Sequence, residues 1–214
     1  MKKGCILCLL ISVISLPLIA QNIIYSNLKE LLTQHGDTTA VLRVEKRSRN
    51  QIVLTGGADY RITAGDDESM CRRLKKRCFA VRDEKGNLYL NCRKLRYKKL
   101  RFGAWYAPAV QLGKNIYFCA MPLGSVIGGN FVEEDDVKLG GNIGDARAAA
   151  SLVTKRVCYE LNGETGKVDF LGKDRMLQLL KNYPELKQAY LKDDSQEAKH
   201  TFKYLLELQN KQKK

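Results

Sequence analysis

CFAVRDEKGNLYLNC, residues 78–92, sets two short runs of aliphatic and aromatic residues on either side of DEKGN. Glu84 and Lys85 suit a type I turn, and Gly86 suits the left-handed position that follows it in a three-residue hairpin loop. In that register Asp83 faces Asn87, and pairing continues outward to Cys78 opposite Cys92. Cross-strand β-carbons lie about 4.5–5.5 Å apart, close to the ~3.8 Å mean of a disulfide. An even-numbered loop gives cleaner faces, with Phe79, Val81, Leu88, Leu90 and Cys92 on one side and Ala80, Arg82, Tyr89 and Asn91 on the other. Cys78 then faces Arg93 and no bond forms directly. Both registers remain open, with Cys78 and Cys92 as the candidate disulfide.

Outward from this hairpin the pattern stays β-like. AVLRVE (40–45), QIVLT (51–55), DYRIT (59–63), WYAPAV (105–110) and NIYFCAM (115–121) are short, apolar-rich and punctuated by Gly, Asn or Asp, which reads as a series of strands. Residues 25–34 carry Leu28, Leu31 and Leu32 ahead of Gly36, the spacing of a short helix. Residues 124–144 are glycine-rich and read as a connection. They contain no phosphate-binding G-x-x-x-x-G-K-[ST] motif, and Asp135 and Asp136 would repel phosphate. DARAAAS predicts a helix over 145–153. KRVCYELN and VDFLG, joined by NGETGK, predict a second hairpin. From Lys173 onward the pattern is helical: Met176, Leu177 and Leu180 share a face, Pro184 opens the next helix, and Leu186, Ala189 and Tyr190 follow. Asp194 with Glu197 reads as a cap pair for a helix bearing Ala198, Phe202, Leu205 and Leu206. The polar tail NKQKK is expected to fray. These single stripes should pack against the 155–171 hairpin, burying Leu180, Leu186, Tyr190, Phe202 and Leu206.

The fold class is therefore α+β: a β-rich N-terminal half of short antiparallel hairpins, a glycine-rich link, and a β-hairpin with C-terminal helices. The boundaries fall at 1–20, 21–122, 123–144 and 145–210, with 21–210 able to form one domain. The first segment, MKKGCILCLLISVISLPLIA, has basic Lys2 and Lys3, an apolar run from Ile6 to Ile19 and a small residue at Ala20, the pattern of a cleaved signal peptide. Gln21 is then the mature N-terminus. No later run is long enough for a transmembrane helix, so the expected location is periplasm, outer envelope or secreted.

The chain of 214 residues has a formal net charge of +14, and its positive excess is concentrated. Between Cys71 and Phe102 there are thirteen Lys and Arg against Asp83 and Glu84, a local net of +11. CRRLKKRC (71–78) supplies Arg72, Arg73, Lys75, Lys76 and Arg77 on one side of the hairpin. RKLRYKKLR supplies Arg93, Lys94, Arg96, Lys98, Lys99 and Arg101 on the other. These residues are the candidate anion-binding face, because concentrated charge of one sign draws oppositely charged partners. The plainer reading is a solvated surface over packed apolar stems, as Lys and Arg are mostly exposed in any fold. Export favours an anionic envelope polymer or another envelope protein as partner and disfavours nucleic acid.

Catalytic constellations are missing from the sequence. His35 and His200 lie far apart with no neighbours that suggest a dyad, and the acids at 133–136 form one adjacent run. No catalytic residue, cofactor-binding residue or metal ligand is assigned. Zinc is excluded because the exported chain has no C-x-x-C and Cys71 and Cys78 are seven apart. Its five cysteines, Cys71, Cys78, Cys92, Cys119 and Cys158, allow one or two disulfides outside the cytosol, with one left over. The expectation is a non-enzymatic binding or assembly protein, and the rival reading is a hydrolase of envelope glycans or peptides.

Three stretches also carry a resemblance. CFAVRDEKGNLYLNCRKL, RFGAWYAPAVQLGKNIYFCAMPLG, and KRVCYELNGETGKVDFLGKDRMLQLLKNYPELKQAYLKDD resemble a family of exported proteins of Bacteroidota with a domain of unknown function. The most specific piece is the terminal helical pair, filled here by Leu179, Leu180, Tyr183, Pro184, Glu185, Leu186 and Tyr190. The resemblance implies an envelope or secreted location and supplies no catalytic residue. It does not account for CRRLKKRC.

Overall fold

The hairpin forms in the odd register. In the computed structural model, which describes residues 21–39, 41–123, 126–127, 130–131, 154–193 and 197–213, β5 (Ala80–Arg82) pairs antiparallel with β6 (Leu88–Asn91), Ala80 opposite Leu90 and Arg82 opposite Leu88. The turn explains the choice. Gly86 adopts φ +82°, and its N–H donates to the Asp83 carbonyl at 2.9 Å. The Asp83 carboxylate accepts from the backbone N–H of Lys85 and of Asn87, and from the Asn87 side-chain amide. A turn tied at that many points fixes the register more firmly than the alternation of faces does. Cys78 and Cys92 are nevertheless both free thiols. The ladder ends where the Asn91 N–H donates to the Phe79 carbonyl, and Cys92 turns to pair with Trp105 instead. Cys92–Lys94 then form a 3-10 turn.

Around this hairpin grows a large antiparallel sheet. Its remaining strands are β1 (Asn22–Tyr25), β2 (Asp37–Thr39), β3 (Arg43–Lys46), β4 (Tyr60–Thr63), β9 (Tyr106–Leu112), β10 (Asn115–Ala120), β13 (Val157–Leu161) and β14 (Val168–Phe170). The order is β14, β13, β10, β9, β6, β5, β1, β2, and the β3–β4 pair joins where Tyr60 lies opposite Tyr106. Two small ribbons stand apart from it: β7 (Arg96–Tyr97) with β8 (Leu100–Arg101), and β11 (Val126–Ile127) with β12 (Asn130–Phe131). The C-terminal hairpin β13–β14 adds directly to β10, so the N-terminal half and the C-terminal region share one sheet. Residues 1–20, read from the sequence as a signal segment, most of the 123–144 link and the helix expected over 145–153 lie outside the described residues.

Three expectations are corrected. QIVLT is not a strand but the body of helix α2 (Arg49–Thr55). Ser48 caps it through a reciprocal box, Ser48 Oγ accepting from Gln51 N–H and Gln51 Oε1 accepting from Ser48 N–H, and two satisfied end groups outweigh the β preference of Ile52 and Val53. RRLKKR, set beside the hairpin in the sequence reading with no helix assigned to it, is helical as far as Lys76. It closes helix α3 (Glu68–Lys76), capped by Asp67, with Glu68 in the first turn and Arg73, Lys75 and Lys76 in the last, a charge order that favours the helix dipole. Finally, residues 25–34 split: β1 ends at Tyr25, and only Leu28–Leu32 form helix α1.

Alternation along the strands sorts the core into two faces. One face carries Tyr25, Leu88, Leu90, Ala107, Ile116, Phe118 and Tyr159, closed by Leu95, Tyr97 and Phe102 from the segment after β6. Phe102 meets both Phe118 and Tyr159 edge-on, with centroids 5.3 and 4.8 Å away. The other face is shared by two helical covers. Helix α3 lies over Ile24, Val81, Tyr89 and Tyr106 through Leu74, Met70 and Cys71. The C-terminal helices α4 (Lys173–Leu179), α5 (Pro184–Lys192) and α6 (Ala198–Gln212) lie over Val110, Leu112, Tyr117, Cys119 and Cys158.

Those helices bury Leu180 and Leu186 as expected, and half-bury Tyr190 and Phe202. Leu206 is 41% exposed, and the buried residues of α6 are Ala198, Tyr204, Leu205 and Leu208. The packing target also differs: α6 rests on the central strands β9 and β10 as well as on β13. It continues to Gln212, through most of the polar tail.

Candidate functional site

The end of α3 is fastened to the sheet by polar groups. Asn91, 1% exposed, donates its side-chain amide to the carbonyls of Leu74 (3.2 Å) and Cys78 (2.9 Å), and the Tyr106 hydroxyl donates to the same Leu74 carbonyl at 2.8 Å. Helix C-termini leave such carbonyls without intrahelical partners, so the sheet supplies the cap. The fastening fixes the backbone on the N-terminal side of Lys75. Burial drives the Tyr106 hydroxyl well above its usual pKa, with Cys78 adding to the effect, and burial pushes the Cys78 thiol up to about 11. Both groups are therefore neutral structural donors.

Beside this junction is a small cleft lined by Ile62, Lys75, Asn91, Arg93, Ala104, Trp105 and Tyr106. Trp105, the chain's single tryptophan, sits at φ +77°, a region that bulky L-residues rarely adopt and that costs about 1–3 kcal/mol. Several contacts impose it. Ala58 N–H donates to the Ala104 carbonyl at 2.9 Å, and a Cβ on Gly57 would come within 2.4 Å of that oxygen, so only glycine lets the two loops approach.

The Arg47 guanidinium lies 5.2 Å from the indole centroid and Arg61 lies 5.8 Å from it. Arg47 is structural: 7% exposed, it donates to the carbonyls of Gln51, Gly56 and Ala58 and to the Thr55 hydroxyl. Burial lowers its pKa against the opposing pull of Asp59. Arg61 is exposed. The half-buried ring thus carries a fixed cation and an exposed one, and Lys75 and Arg93, both exposed, belong to the same cleft. Among the described residues no carboxylate lines it. Its chemistry suits an anion with a flat or ring-shaped neighbour.

The structure brings only part of the candidate face to this point. Lys75 from the first basic run lines the same cleft as Arg93 from the second. Arg73 is committed elsewhere, in an ion pair with Asp37 and a hydrogen bond to Ser26 Oγ. Arg72, Lys76 and Arg77 are exposed along and after α3, and Lys94 is exposed in the 3-10 turn. Arg96 lies directly opposite Arg101 in the β7–β8 ribbon, which runs beside β14. Lys99 is exposed on the same ribbon, and Lys98 stands 5.7 Å from the Tyr97 ring centroid. Sequence reasoning missed Trp105, Arg61, Arg47 and Asn91. Gly103-Ala104-Trp105 held a signal, a lone tryptophan beside a turn glycine, but nothing local pointed to the arginines around it. Among the described residues there is no grouping of His, Cys, Asp and Glu suited to a metal, and no helix is long and apolar enough to cross a membrane.

Neither the proteins of curated function nor the solved structures contain a match to the chain. A family model does match, over residues 23–212, which takes in both helical covers, all of the sheet but Asn22, and the Trp105 cleft. The chain belongs to the family of unknown function DUF6563.

Proposed function

We propose that this is an exported envelope protein that binds an anionic polymer at the Trp105 cleft, without catalysing a reaction on it. The observation that carries the reading is a cleft lined by both Lys75 and Arg93 beside an indole held at φ +77°. Strain retained at one aromatic residue beside exposed cations is a mark of a binding position. An acidic polysaccharide fits this chemistry: a sugar ring stacks on Trp105 while its carboxylates or sulfates meet Lys75, Arg93 and Arg61. Export rests on the N-terminal segment, with Lys2 and Lys3 ahead of its apolar run, and on the resemblance to exported proteins of Bacteroidota. The hydrolase alternative requires an acid–base pair, which this cleft does not offer.

Retention on an immobilised polyuronate, compared with neutral dextran across a salt series, tests the reading. Wild type should be retained on the polyuronate alone and released steeply as salt screens the charges. Lys75→Gln with Arg93→Gln should weaken binding about tenfold, and Trp105→Phe should bind better than Trp105→Ala. Lys199→Gln with Lys203→Gln on α6 should change little. Equal loss from both pairs of substitutions would mean that net charge alone is responsible.

A further inference from the structure

The pairing of β10 with β13 sets Cys119 directly opposite Cys158. The Cys158 carbonyl accepts from Leu171 N–H on the other side, at 2.9 Å. In an antiparallel strand a residue's N–H and C=O face the same neighbour, so the Cys119–Cys158 pair is of the non-hydrogen-bonded kind, whose α-carbons approach to about 4.5 Å with side chains closer still. A disulfide spans α-carbons about 4.4–6.8 Å apart. The two Sγ atoms are 2.7 Å apart, already near the ~2.05 Å covalent length. The remaining thiols have different company. Cys71 Sγ lies near Ala64 N and Gly65 O, and Cys78 Sγ near Tyr25 O and Ala80 O.

We propose that Cys119 and Cys158 are joined as a disulfide in the mature protein. The oxidant is itself a disulfide, of a small thiol or of a thiol-exchange protein. One cysteine loses its proton and attacks that disulfide, forming a mixed disulfide and expelling one thiolate. The second cysteine, deprotonated in turn, attacks the mixed disulfide at the first cysteine's sulfur, closing the Cys119–Cys158 bond and releasing the second thiol. Two electrons and two protons pass from the cysteines to the oxidant.

Both thiols are buried beneath the start of α6, where each contacts the Ala198 carbonyl. Burial and the neighbouring thiol hold Cys119 protonated in the folded state. Exchange therefore takes place before α6 docks, and the finished bond is shielded from reductant. The bond joins positions 39 apart in sequence, and the loop it closes contains the glycine-rich stretch. Closing it removes conformational freedom from the unfolded chain.

The test refolds the full-length, fully reduced chain in a mixture of reduced and oxidised glutathione, then alkylates it in denaturant and maps the peptides. A cross-linked peptide joining Cys119 to Cys158 is expected, and this readout needs no variant to fold. The oxidised protein should melt roughly 5–10 °C above the same protein reduced with dithiothreitol, a difference that Cys158→Ala abolishes. Alkylation of both Cys119 and Cys158, a different linked pair such as Cys78 with Cys92, or equal melting of the two redox forms would overturn the proposal.

Discussion

Helix α3 and the C-terminal helices cover neighbouring parts of one sheet face by different means. The C-terminal cover is apolar: Leu180, Leu205 and Leu208 are each 1% exposed or less. Helix α3 buries a single residue fully, Leu74, and relies on the capping hydrogen bonds of Asn91 and Tyr106. The reason lies in what each helix carries. A helix that presents Arg72, Lys75 and Lys76 to solvent has few positions left for burial, so its end is set by directional bonds. Apolar burial supplies stability, and directional bonds supply position. A cover fastened by position is the one suited to hold Lys75 at a cleft.

Loss of apolar burial on α6 costs most. Leu205→Ala removes a side chain with no exposure and should cost about 2–5 kcal/mol. Leu206→Ala, one residue on and 41% exposed, should cost far less, about 0.5 kcal/mol. Urea unfolding of the two variants measures the difference directly. Similar losses would mean that α6 lies differently on the sheet.

At α3 the decisive substitution is polar. Asn91→Leu keeps the volume close but leaves the Leu74 and Cys78 carbonyls short of a donor, which should cost about 1–3 kcal/mol. Its second effect should set it apart from a core truncation. Retention on polyuronate should fall with Lys75 no longer held in place, whereas Leu205→Ala, assayed below its melting point, should bind as wild type does. Undiminished binding by Asn91→Leu would detach the cleft from the fastening.

How much of this could be read in advance follows the range of the interactions. DEKGN sets its register through contacts within five residues, and so the hairpin, its neighbours β9 and β10, and the β13–β14 hairpin were all visible. QIVLT failed because the capping box begins at Ser48, outside the apolar run that drew attention. Helix α3 failed because its basic residues hid a stripe of Met70, Cys71, Leu74 and Cys78. On α6 the helix was plain, but neighbouring residues are turned by about 100°, so choosing Leu206 over Leu208 displaced the stripe into solvent. The cleft was the hardest to foresee. Arg61, Lys75, Arg93 and Trp105 come from four separate elements, and only the completed sheet assembles them.

The smallest expected effect separates the ion pairs of the two regions and depends on pH. Under the C-terminal cover, Glu160 accepts from Arg175 Nε and Nη2 at 2.8 Å each, from the Tyr117 hydroxyl and from the Asn115 amide. Burial alone would raise its pKa, but the Arg175 and Tyr117 hydrogen bonds outweigh burial and bring the carboxyl below its ordinary value. A depressed folded pKa means that the unfolded chain takes up the proton first as pH falls. The stabilisation is therefore whole above about pH 4.3, the usual glutamate value, and is lost as pH drops through the lower folded value. Near α3, the Arg73–Asp37 pair is the counterpart, but Asp37 is 64% exposed, and exposed pairs contribute about 0–1 kcal/mol. Glu160→Gln should accordingly flatten the acid limb of a stability–pH profile, while Asp37→Asn should leave it nearly unchanged. An acid limb that survives Glu160→Gln would place the acid-sensitive contact elsewhere than under the C-terminal helices.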